Sequence, residues 1–118
     1  MDQFRDRFDE KTYENGPTCS IGLFDTHVIP ETEIQLPVEL LSRVIKLGQA
    51  YNLHYLSRFD IFDHVFLESN HCEGLSHELI FLKEITNDKL LHTHLDNILS
   101  LAVSCMKRDN CKLLVNGN

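Results

Sequence analysis

The chain has 118 residues, 42% apolar and 25% charged, an ordinary composition for a globular domain and not for a disordered or fibrous chain. Its 18 Asp and Glu outnumber 11 Lys and Arg, giving a formal net charge of -7, which argues against nucleic acid and against an anionic membrane surface as partners. A cationic protein is compatible with it, because complementary fields speed encounter and disfavour wrong partners.

Residues 1–17 hold Phe4 and Phe8 four apart and end in Asn15-Gly16-Pro17, a turn signal. They read equally as a short helix or a frayed terminus. They lack the apolar core of a signal peptide, and no stretch of the chain approaches membrane-spanning length, so a cytoplasmic location is expected. Residues 18–24 alternate loosely, with Cys19, Ile21 and Leu23 on one side, and predict a strand. Pro37 then opens a helix over 37–51, its ring angle preset and its missing donor of no consequence in a first turn. Leu40, Val44, Leu47 and Tyr51 form its apolar face, widened by Leu41 and Ile45, and Asn52 stops it.

Residues 53–69 are ambiguous. Phe59, Phe62 and Phe66 suit a helical stripe, whereas Phe59, Ile61, Val65 and Leu67 suit an alternating strand, and the segment reads as an irregular, largely buried connection. Asn70 with Glu73 resembles a capping box, and Cys72, Leu75, Leu79 and Leu82 carry an apolar face to about Ile85. Gly74 sits inside that helix at a cost of about 1 kcal/mol relative to Ala. Asn87 can cap the next helix, with Asp88 favouring its positive end, and Leu91, Leu95, Ile98, Ala102 and Cys105 form its face. Lys107 and Arg108 complement its C-terminal dipole, and the two helices make an antiparallel hairpin. Residues 112–115 offer a short strand to pair with 18–24. The expected fold is mainly α, or α+β at most: one domain over 1–118, a helical bundle built on the hairpin, with one or two short terminal strands.

Seven histidines and four cysteines invite a metal or catalytic reading, and spacing argues against both. Cys19, Cys72, Cys105 and Cys111 form no CxxC pair, and His71 and His77, six apart, fall on different faces of a helix. Ser57 and Ser76 lack the glycine-flanked elbow of a serine nucleophile. A Cys–His dyad, Cys72 with His77 or Cys105 with His94, would place its thiol on an apolar face where thiols are inert. No glycine-rich phosphate loop is present. The expectation is no catalytic residue, no metal and no cofactor.

The carboxylates carry more information. Asp60, Asp63, Glu68 and Glu73 fall within 14 residues, with Arg58 as the basic neighbour just outside, and Glu31, Glu33 and Glu39 form a second group. Both groups lie in or beside irregular segments, where binding residues are often presented. They read either as solvated loop charges or as acceptors for a partner's Arg and Lys. Neighbouring Phe59, Phe62 and Tyr55 favour the second reading, since interface hot spots mix aromatics with satisfied charges.

The segment Leu53-His-Tyr-Leu-Ser-Arg-Phe-Asp60, followed by Asn70 and a helix carrying Glu78-Leu79-x-x-Leu82, resembles small bacterial immunity proteins encoded beside polymorphic or contact-dependent toxins. The resemblance spans roughly 36–106. It implies a non-catalytic inhibitor that covers the active site of a toxin. A nuclease toxin must present cations to phosphate, so carboxylates would suit its groove. The charge map assigns that contact to Asp60, Asp63, Glu68 and Glu73 with Phe62, and secondarily to Glu31 and Glu33. Two other readings stay open, a different regulatory interaction module and a small metal-binding enzyme.

Overall fold

The computed structural model describes residues 17–24, 33–60, 64–108 and 111–116. Among these, four strands and three helices alternate: β1 (Thr18–Phe24), β2 (Ile34–Pro37), α1 (Val38–Ala50), β3 (His64–Glu68), α2 (Cys72–Ile85), α3 (Lys89–Met106) and β4 (Lys112–Asn116). Short 3-10 turns at Leu56–Arg58 and Ser69–His71 precede β3 and α2. The strands form one sheet of order β2-β1-β4-β3, antiparallel at every pairing. This corrects the expected helical bundle: the fold is α+β, and β2 and β3 join the two strands foreseen at 18–24 and 112–115.

Alternation explains the sheet. Register places Ile34, Ile21, Val115 and Val65 in one row and Leu23, Leu113 and Leu67 in the next. Each such row turns to one face of the pleat. Leu36 with Cys19 completes that inner face, and these side chains join the helix residues in one continuous core. Burying each Leu or Ile contributes about 1.5–3 kcal/mol. The segment read as irregular is therefore half strand: over 64–68 the period of two wins, with Leu67 inward and Phe66 outward at 45% exposure.

Helix α1 buries Leu40, Leu41, Val44 and Leu47 as the pattern foretold, while Tyr51 stays exposed against the Phe81 ring. Pro37 closes β2 and occupies the cap position outside the helix, so its expected place at the first helical residue is corrected by one. With no side-chain cap present, the chain supplies a tertiary one, Val38 N donating to Pro17 O at 3.0 Å. Asn52 ends the run at φ 56, a left-handed conformation its short polar side chain tolerates. Gly48 lets the following turn approach closely: a Cβ there would lie 2.9 Å from Leu56 Cβ and 3.0 Å from Ser57 N.

The hairpin of α2 and α3 stands as expected, with Cys72, Leu75, Leu79 and Leu82 facing Leu91, Leu95, Ile98, Ala102 and Cys105 in the core. Its caps do not. Asn70 lies in the 3-10 turn and α2 starts without a side-chain cap. At α3 Asp88 is the cap in place of Asn87, accepting from Leu90 N and Leu91 N at 3.1 Å each. His92 locks the turn, its Nε2 2.9 Å from both Thr86 O and Thr86 Oγ1. Because the carbonyl can only accept, that nitrogen carries the proton.

Candidate functional site

Strand β3, its 3-10 turn and the start of α2 build an exposed corner. Glu68 ends β3 on the outer sheet face, opposite Lys112 of β4, and the two form a loose ion pair at 3.9 Å. Lys112 Nζ also lies 5.8 Å from the centroid of the Phe66 ring. Phe66 in turn meets Phe24 edge to face at 5.6 Å. Glu73 lies one 3-10 turn beyond Glu68, exposed in the first turn of α2, where the helix dipole favours a negative charge. The outer face of this edge strand thus offers the Glu68 carboxylate and the accessible Phe66 ring around Lys112, with Glu73 exposed five residues further on.

The structure gathers only part of the expected set. Asp60 is exposed after the buried Phe59 and leads toward the start of β3, whose length carries Glu68 about 13 Å further along. Glu33 is exposed beside β2, at the opposite edge of the sheet, and accepts from Gln35 Nε2 at 3.2 Å. Glu31, Phe62 and Asp63 lie outside the described residues. Sequence reasoning missed Phe24, Phe66 and Lys112. The first two were legible as the positions out of phase with Leu23 and Leu67. Lys112 is remote in sequence from Glu68, and cross-strand register alone reveals it.

Of the aromatics expected to flank the site, Phe59 and Tyr55 are structural. Phe59 belongs to the core, and Tyr55 is half-buried between His54 and His71, with ring centroids at 4.8 and 5.6 Å. Glu78, from the middle of α2, turns inward beneath that ring. Its carboxylate accepts from Tyr55 N at 3.0 Å and from Leu56 N at 2.9 Å, fastening the 56–58 turn.

Burial governs the thiols. It pushes Cys19 up to about 11, where Sγ rests 3.6 Å from Leu36 O. Burial also raises Cys72 and, with the neighbouring thiols Cys111 and Cys72 adding, Cys105. Such thiols hold little thiolate at neutral pH and make poor nucleophiles. His94 is lowered by burial. Among the described residues no three His, Cys, Asp or Glu side chains converge to hold a metal ion, and no helix is long and apolar enough to cross a membrane. The chain matches no protein-family model, no curated protein and no solved structure.

Proposed function

We propose that this protein is a non-catalytic binding module of the immunity type, which neutralises a cognate basic toxin domain in the cytoplasm by covering its active site. The observation that carries the reading is the exposed Phe66 with Glu68 on the same outer face of β3, followed by Glu73 exposed in the first turn of α2, on a chain of net charge -7. A carboxylate accepts bidentate contacts from Arg, and an aromatic ring beside it supplies the desolvated centre that interface energetics require. Asp60, with Phe62 and Asp63 after it in sequence, would extend the contact toward the other end of β3.

Co-expression with the products of adjacent genes tests this, with complex formation and association kinetics measured against salt. A cationic neighbour should bind, and the pair Glu68→Lys with Glu73→Lys should slow association and flatten its salt dependence. If either carboxylate is buried against a partner Arg, its loss should cost about 2 kcal/mol or more, because the other charge is stranded. Failure of every neighbour to bind refutes the immunity reading. Binding that ignores both reversals refutes the corner as the contact.

A further inference from the structure

A cleft of about 270 Å³ opens between the β1–β2 side of the sheet and the C-terminal half of α3. Its apolar floor is Leu23 of β1, Ile34 of β2 and Leu101 of α3. Its polar wall is Asn97, Ser100, Ser104 and Arg108. Those positions recur every three or four residues, so they share one ridge of the helix and its exit. The opposite face of α3, with Ile98, Ala102 and Cys105, is committed to the core.

Two hydroxyls of the hairpin helices turn back on their own backbone. Ser76 donates to Cys72 O at 2.7 Å and Thr93 to Lys89 O at 3.0 Å. Ser100 and Ser104 do not: among the described residues neither hydroxyl, nor the Asn97 amide, nor the Arg108 guanidinium has a hydrogen-bond or ion-pair partner. Among the described residues Arg108 thus has no carboxylate partner, and it stands at the mouth of a cleft whose other polar side chains can all donate. Lys83 and Lys112, by contrast, are each paired with a carboxylate.

Size narrows the ligand. The volume falls just below the roughly 300–1,000 Å³ typical of sites for drug-sized molecules. We propose that this cleft binds a short aliphatic monocarboxylate, its charged end held by Arg108 and the Ser104 and Ser100 hydroxyls and its tail lying on Leu23, Ile34 and Leu101. The Arg108 guanidinium offers two parallel donors to a carboxylate, which sets the orientation. The cleft lies on the β2 side of the sheet, away from the β3 corner, so the two proposals stand or fall separately.

The test is titration of the intact protein, followed by backbone and side-chain amide resonances, with sodium hexanoate, with its uncharged isostere hexanamide, and with inorganic phosphate. Hexanoate should saturate with a Kd in about the millimolar range, as its few atoms allow, and shift Leu23, Ile34, Ser100, Leu101, Ser104 and Arg108. Hexanamide should bind about ten-fold more weakly or worse, since the lost contact is a charge-assisted one. Arg108 is exposed, so Arg108→Gln folds normally and should abolish the preference for hexanoate, with Ser104→Ala reducing it. Three results overturn the proposal: no saturable shift up to about 20 mM hexanoate, equal binding of hexanamide, or phosphate binding as tightly as hexanoate, which would make the apolar floor irrelevant.

Discussion

Replacing Gly74 with Ala separates local propensity from packing. Propensity alone favours Ala inside a helix by about 0.5–1 kcal/mol. The fold opposes it. A Cβ at Gly74 would lie 2.3 Å from Tyr55 Cε2, with Cδ2 at 3.1 Å and Cζ at 3.2 Å. Reaching ordinary contact near 3.5 Å requires the ring to shift by about 1.2 Å. That ring contacts both His54 and His71, and its backbone N–H is fastened to Glu78, so moving it disturbs both ring contacts. Overpacking of this kind costs about 1–3 kcal/mol, which exceeds the propensity gain and leaves Gly74→Ala destabilising by about 0.5–2 kcal/mol. In a Tyr55→Ala background the obstruction is gone and the same change should stabilise by about 0.5–1 kcal/mol. Urea unfolding of the four proteins in this cycle measures the reversal of sign. If Gly74→Ala is as stabilising in the native background as in Tyr55→Ala, the ring yields freely and the reasoning is wrong.

Two further outcomes are expected. Leu79→Ala and Leu95→Ala remove fully buried side chains from the facing surfaces of the hairpin and should each cost about 2–5 kcal/mol in chemical unfolding, with a loss below about half a kcal/mol at both sites refuting that interface. Stability should also fall at high pH: Cys19 holds its proton more tightly folded than unfolded, so its contribution is complete below the ordinary value of 9.0 and disappears as pH climbs through about 11. Unfolding midpoints across that range should decline, and Cys19→Ala should flatten the decline. His94 acts with the opposite sign, being lowered from 6.5, so its contribution is present above that value and lost as pH falls beneath it.

What the sequence disclosed about the fold was whatever is local and periodic. The hairpin faces, the stop at Asn52 and the alternation of 18–24 are properties of neighbouring residues. Strand β3 failed this test because Phe59, Phe62 and Phe66 mimic a helical stripe, and because a five-residue run holds too few periods to decide. Its pairing partner supplied what was missing. β4 runs between β1 and β3, matching Val65 to Val115 and Leu67 to Leu113, and no window around 64–68 contains that information. Caps slipped by one residue for a similar reason: Asp88 and Asn87 both carry a suitable oxygen, and the path of the chain selects Asp88.

The candidate surface was legible as charge and illegible as geometry. Closeness in sequence does not make carboxylates close in space: a strand separates Asp60 from Glu68 along the chain, and Glu33 belongs to the far edge of the sheet. Meanwhile Glu78, which carries the same charge as the others, spends it on Tyr55 N and Leu56 N inside the fold. Two backbone donors in a turn with no helix of its own to satisfy them need an acceptor, and a carboxylate from the packed helix meets that need. Formal charge therefore overstates the acidity available to a partner: Glu78 and Asp88 face inward as acceptors, while Glu68 and Asp96 are matched by Lys112 and Lys83. The exposed pairs hold weakly and a partner's Arg can displace them, whereas the inward carboxylates are committed. A surface contact should therefore depend on Glu68 and Glu73 more than on the total of -7.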